Sequence, residues 1–190
     1  MATIESLVTA ADLLQRAEFG RSQRGRCELV AGRVLSMTPA SFQHGLIAMN
    51  IGERLTEWCR HDGRFVVVGG EAGFLLSRNP DTVRAADVAM VRRDLAARAL
   101  ACGGFFEGAP ALVVEVLSPS DRPVDVASKT QAWLQAGAES VWNVDPRTRG
   151  ISVHSRGGIQ AFAEEDRLED AAFPGLGLDV RSVFQIPGQA

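Results

Sequence analysis

Residues 111–117 read ALVVEVL, an apolar run broken once, by Glu115. A strand with apolar residues on both faces belongs inside a sheet that is covered on both sides. The run therefore predicts a central strand in a layered α/β protein. It also poses a problem of charge. An ionised carboxylate buried without a partner costs several kcal/mol, so something must compensate Glu115. A lysine or a metal ion would do so. A position at the strand's end, in reach of solvent or an arginine, would relieve the cost as well.

The rest of the chain supplies layers for this strand. Thr9 can cap a short helix over 10–17. Residues 20–26 are polar and turn-like, and 27–30 and 33–37 predict a hairpin turning at Ala31-Gly32. From Phe42 to Arg60, the residues Ile47, Ile51, Leu55 and Trp58 fall at spacings of 4, 4 and 3, one stripe of an amphipathic helix. Residues 65–68, 73–76 and 86–91 read as strands, separated by Gly-Gly and by Asn79-Pro80-Asp81. Residues 95–108 are ambiguous, with at most a short helical turn. After the central strand come the turn Ser118-Pro119-Ser120-Asp121 and a helix over 124–136 stopped by Gly137. A buried strand at 141–144 and a hairpin of 151–154 with 159–162 follow, and 173–184 is a loop with one short element. A chain of 190 residues without repeat, low-complexity tract or linker fits one mixed α/β domain.

Four further polar residues stand near predicted apolar surfaces. Asp87 starts the strand Asp87-Val88-Ala89-Met90-Val91 and can share a sheet face with Ala89 and Val91. Alone, such an aspartate is more often a turn residue. Lys129 lies three residues after Val126 and four before Trp133, at the border of a stripe marked by Val126, Thr130, Trp133 and Gly137. From there it can lean over the end of the strand bearing Glu115, with Asp125 as a candidate ion-pair partner one turn earlier. The plainer reading is a border lysine that snorkels to water. Glu28 lies in the first hairpin strand. His44 heads the helix stripe three residues before Ile47, a place where a lone histidine is often a hydrogen-bonded core residue.

Composition singles out Lys129. The 20 basic residues are 19 arginines and this one lysine, and it falls on the helix that follows the glutamate strand. A net charge of −3 argues against a broadly basic nucleic-acid coat but leaves room for a local basic cleft. Cys27, Cys59 and Cys102 are odd in number and form no CxxC, so neither a zinc ribbon nor a disulfide framework is indicated. They read as small buried or half-buried thiols in a reducing compartment. The N-terminus lacks the basic start and apolar run of a signal peptide, and no stretch reaches the ~20 apolar residues of a membrane span. A cytoplasmic protein with no membrane partner is expected.

Together these residues have a familiar order: a strand starting with aspartate, a strand bearing glutamate, then a helix bearing lysine. The layout is similar to that of PD-(D/E)XK nucleases with the lysine moved onto the following helix. More specifically, CELVAGRVLSM, the helix with His44, VRAADVAMV, ALVVEVLSPSDRPVDVASKTQAWLQAGAESVWNVDP and FPGLGLDV resemble the Uma2 family of restriction-endonuclease-like proteins, in order, over most of 27–180. The resemblance implies a restriction-endonuclease-like mixed β-sheet core flanked by helices, with an N-terminal helix and β-hairpin extension. It implies an endonuclease that cuts DNA with Mg²⁺ or Mn²⁺, as a homodimer. Asp87, Glu115 and the backbone carbonyl of Val116 would hold the metal. Lys129 would be the catalytic lysine, and Glu28 and His44 accessory active-site residues. Ala86 stands where the family usually has proline, and Trp133 and Val141 where it has tyrosines.

Other chemistries find little support. Neither a Walker A loop nor GxGxxG is present, and the GLGL at 175–178 follows a proline rather than a strand. No GxSxG elbow occurs, and Ser118 reads as turn chemistry. The alternative to a nuclease is a nuclease-like fold that binds nucleic acid or assembles without turnover. The acidic balance and the lack of a basic, aromatic-interleaved run keep that alternative open.

Overall fold

The computed structural model describes residues 7–18, 26–70 and 72–186. Of the turn-like stretch expected at 20–26, residues 20–25 lie outside them and Arg26 already begins a strand. Thr9 and Asp12 start α1 (Ala10–Glu18) reciprocally. The Asp12 N–H donates to Thr9 Oγ1 at 3.2 Å and the Thr9 N–H to Asp12 Oδ2 at 2.9 Å, as in a capping box. β1 (Arg26–Val30) and β2 (Arg33–Met37) form the expected hairpin. Ala31 and Gly32 take φ of 48° and 75°, the mirror-image turn that matches strand twist. At Gly32 a Cβ would also lie 2.7 Å from the Leu7 Cβ, so glycine is needed twice over.

Ser41 caps α2 (Phe42–Asp62) by accepting the His44 N–H, and Gly63 ends it in the left-handed region. Ile47, Ile51, Leu55 and Cys59 form its buried stripe, with Trp58 half-buried at the margin. Then follow β3 (Phe65–Gly69), β4 (Gly73–Ser77), β5 (Thr82–Ala85), β6 (Val88–Arg92), α3 (Arg93–Cys102) and β7 (Phe106–Glu107). The central strand is β8 (Leu112–Val116), and α4 (Pro123–Gln135) leads to β9 (Ser140–Asp145). β10 (Gly150–Ser155), β11 (Gly158–Phe162), β12 (Arg167–Glu169), β13 (Gly177–Asp179) and α5 (Val180–Val183) complete the order.

The strands form a five-stranded sheet β2-β1-β5-β4-β7, a six-stranded sheet β11-β10-β9-β8-β6-β3 and the ribbon β12-β13. β8 lies inside the larger sheet, antiparallel to β6 and parallel to β9, and all five of its residues are buried. Alternation sorts the two faces. Met90, Leu112, Val114, Val116, Trp142 and Val144 pack with the α2 stripe and the C-terminal ribbon. Ala89, Val91, Val113 and Val141 pack with Trp133 of α4 and Phe74 of β4. Covering both faces is what permits ALVVEVL to be apolar throughout.

Three expectations are corrected. The strand expected at 86–91 starts at Val88, and the chain crosses from one sheet to the other at Ala86-Asp87, so Asp87 lies between strands. The ambiguous stretch holds most of the ten-residue helix α3, which has no fully buried residue and packs only half-buried Leu95 and Ala96 against the core, so its apolar stripe is short. Cys102, at the end of that helix, is exposed, whereas Cys59 is buried and Cys27 half-buried. No helix among the described residues is long and apolar enough to cross a membrane.

Candidate active site

The site begins where two paired strands part. β6 pairs with β8 at Val88–Val114, Ala89–Val113 and Met90–Leu112. Continued by two residues, the ladder would set Ala86 against Val116, but there the chain has already turned away towards β5. The Val116 N–H donates instead to Asp87 Oδ2, at 2.8 Å. A side-chain carboxylate thus replaces a ladder carbonyl. The N–H and C=O of a strand residue face the same edge, so the Val116 carbonyl borders this gap too. His44, in the first turn of α2, places Nε2 3.1 Å from the same Asp87 oxygen.

Glu115 points to the α4 side of the sheet, and α4 meets it twice. Lys129 Nζ donates to Oε2 at 2.8 Å and Trp133 Nε1 to Oε1 at 2.8 Å. The two donors are four residues apart, hence on one helix face. Lys129 also donates to Glu28 at 3.0 Å and to the Ala85 carbonyl at 3.1 Å. An ammonium has three donors, and all three are engaged. Asp125, the expected partner of Lys129, instead approaches Arg122 at 3.9 Å. Lys129 faces the sheet while Asp125 faces water, so the long-range partners win.

Glu28 is held on two sides. Arg84 Nη1 donates to Oε2 at 2.6 Å, and the Ala85 N–H donates to Oε1 at 3.0 Å. The crossing segment 84–87 therefore touches every member of the cluster except Glu115 and Trp133. Arg84 and the Ala85 N–H hold Glu28, the Ala85 carbonyl holds Lys129, and Asp87 meets His44 and Val116. A second network pins α4 to the sheet beside it. Asn143, opposite Glu115 on β9, donates to Thr130 at 2.9 Å and contacts His154 at 3.3 Å.

Burial pushes the Glu115 carboxyl up, the Lys129 ammonium draws it down, and Asp87 and Glu28 push it up again, to about 7. For Glu28 the upward push of burial is outweighed by Lys129, Arg84 and the Ala85 N–H, and its carboxyl sits below the usual range. Burial would lower Lys129, but Glu115 and Glu28 outweigh it and hold the ammonium more firmly protonated. Folded Glu115 thus keeps its proton to higher pH than the unfolded chain. Its contribution to stability is full below about 4.5 and is lost as pH rises towards 7. Urea unfolding between those pH values is expected to show a larger loss in wild type than in Glu115→Gln. Equal losses would mean an unshifted carboxyl.

Three carboxylates, Glu28, Asp87 and Glu115, face two permanent cations, Lys129 and Arg84. The surplus is negative and the donors are oxygens, which suits a hard divalent cation. Among the described residues no three His, Cys, Asp or Glu side chains are spaced to hold a metal. The fitting set is two carboxylates and a backbone carbonyl, and Mg²⁺ accepts such sparse sets because it keeps several waters. Sequence reasoning missed Arg84 and read Trp133 as packing alone. Thr82-Val83-Arg84-Ala85 is too short and too polar for a buried arginine to register, so the sequence carries no local signal for Arg84.

Two sheets that part over a carboxylate, with a glutamate strand and a helix behind it, define the fold as restriction-endonuclease-like. The same architecture occurs in a crystal structure described as "a putative nuclease belonging to DUF820 from Anabaena variabilis ATCC 29413", with a TM-score of 0.76. The two are 16% identical, and the likeness covers 93% of this chain and 97% of that one. At that identity it speaks for the fold. The chain itself belongs to the Uma2 family, described as "putative restriction endonuclease", whose model matches residues 10–181. Comparison with curated proteins gives no match.

Proposed function

We propose that this protein is an endonuclease that hydrolyses DNA phosphodiester bonds with Mg²⁺ or Mn²⁺. The observation that carries the reading is the Asp87 carboxylate at the parting of β6 and β8, bonded to the N–H of Val116, the residue that follows Glu115 and its lysine. Asp87, Glu115 and the Val116 carbonyl would hold the metal. When bound, it supplies a water of lowered pKa and screens the phosphate charge.

The other steps fall to the chain's own groups. Lys129 brings an ammonium against the negative charge that grows on the phosphoryl oxygens. A compact charge on a flexible stem can exchange one of its three acceptors for a phosphate oxygen, which a planar guanidinium fork does less readily. Glu28 anchors Lys129 from the side away from Glu115. His44, oriented by Asp87 through Nε2, is placed to contact phosphate or to move a proton.

Supercoiled, linear and single-stranded DNA with Mg²⁺, Mn²⁺ or chelator tests the reading. Cutting is expected only with metal, and is expected to fall at least about a hundredfold in Asp87→Asn and Glu115→Gln. Cutting that survives both substitutions would sink the assignment. Tight, salt-sensitive binding without cutting in either metal would replace it with the binding-module reading.

A further inference from the structure

Arg84 is 9% exposed on β5 and pairs with Glu28 through Nη1 alone. Its Nε is buried and has no hydrogen-bond partner. A buried donor without a partner is uncommon and asks for a reason. The reason lies in what Arg84 does to Glu28. That carboxylate carries a second cation, Lys129, 3.0 Å from its other oxygen, and Lys129 is shared in turn with Glu115 at 2.8 Å. The charges alternate along a line: Arg84, Glu28, Lys129, Glu115. Two carboxylates compete for one ammonium, and Arg84 stands behind one of them.

We infer that Arg84 is a positioning residue for Lys129: by neutralising Glu28 from behind, it weakens the hold of Glu28 on the ammonium and leaves Lys129 to Glu115 and the phosphate. The kinetic part of this inference rests on the nuclease reading. Without Arg84, Glu28 turns its full charge on Lys129 in surroundings that screen poorly. The ammonium is then bound too firmly to exchange an acceptor. Ala85 ties the same pair together through the backbone, giving its N–H to Glu28 and its carbonyl to Lys129. The post needs a charge that burial does not neutralise, which a guanidinium is.

Two measurements on one set of proteins test the inference. In Mg²⁺-dependent nicking of supercoiled DNA, Arg84→Ala is expected to lower kcat about tenfold while KM stays within about twofold. Arg84→Lys, whose charge burial can partly remove, should recover only part of that loss. In a Glu28→Gln background Arg84→Ala should have little further effect, because the charge it opposes is gone. A raised KM at unchanged kcat would put Arg84 on the substrate, and an undiminished loss in the Glu28→Gln background would make it merely structural. Either overturns the inference.

Urea unfolding, followed by tryptophan fluorescence, needs no activity and so separates this inference from the nuclease reading. Arg84→Ala should shift the midpoint further in a Lys129→Met background than in wild type, since Glu28 then loses its last cation. Equal shifts would mean that the two cations do not share Glu28, and would overturn the inference even in a protein that cuts nothing. Should Arg84→Ala fail to fold, Arg84→Lys serves in the same comparison, with a smaller shift expected in the same direction.

Discussion

Lys129→Met is expected to yield a weakly stable protein that no longer cuts DNA. Methionine keeps much of the length of the side chain and removes its charge. Glu115 Oε2, one oxygen of Glu28 and the Ala85 carbonyl lose their donor together. Glu28 keeps Arg84, but Glu115 is left with the Trp133 indole alone. Removing one partner of a buried pair costs about 3–5 kcal/mol. Whole domains have about 5–15 kcal/mol to lose. The loss should shrink in mild acid, because Glu115 then takes a proton and the orphaned charge disappears. Its carboxyl already stands near 7 with Lys129 present, and Lys129 is a group that lowers it. The variant should therefore gain stability relative to wild type as pH falls from 8 to about 5. Cutting should fall about 10²–10³-fold, the usual effect of losing one donor to a developing negative charge. Urea midpoints at both pH values and nicking rates check the three effects. A variant within about 1 kcal/mol of wild type at pH 8 would mean that Lys129 is bathed by water rather than committed to the cluster.

The residue types of this site are easier to read from the sequence than its contacts. Glu115 is visible because a carboxylate breaks an otherwise unbroken apolar strand, and burial follows from the run itself. Lys129 is visible because it borders a helix stripe and because no other lysine competes for notice. Arg84 is hidden by the same bias, since one arginine among 19 carries no signal. Its burial depends on Glu28, 56 residues away, which no local pattern reports. Asp125 illustrates the opposite error. Helix spacing favours it as a partner for Lys129, yet side-chain direction gives Lys129 to the sheet.

Among the elements, the long periodic helix α2 and the apolar run of β8 are legible, and those with little buried face are not. α3 has no fully buried residue, and β12 and β13 have three residues each, too few for a period to register. The crossing at Ala86-Asp87 is missed because residues 86–91 read as one strand beginning at Ala86. The division of the chain between two sheets at this point is settled by what packs on either side, not by the local run. That division is nonetheless what creates the gap Asp87 fills.

Restoring an apolar partner separates the charge of the site from its packing. Glu115→Leu added to Lys129→Met is expected to be about 3 kcal/mol more stable than Lys129→Met alone, while remaining unable to cut. On the α4 face of the sheet Glu115 shares its surroundings with Val113 and Trp133, both fully buried, so a leucine there meets apolar neighbours. Replacing a buried ion pair with apolar side chains of similar volume is often neutral or stabilising, by about 1–4 kcal/mol. Against that stands the Trp133 N–H, which loses its acceptor at a cost of about 1–3 kcal/mol. The two nearly cancel, so the double variant should lie within about 2 kcal/mol of wild type. Adding Trp133→Phe removes the orphaned donor and should raise the urea midpoint again. If the double variant were instead as unstable as Lys129→Met, the damage would come from lost packing, and the pair would be a structural element of α4. If it recovers as expected, the fold does not require the Glu115–Lys129 pair. Its presence on a fully buried strand of the sheet then fits the proposed role of an ammonium beside two carboxylates at a phosphodiester.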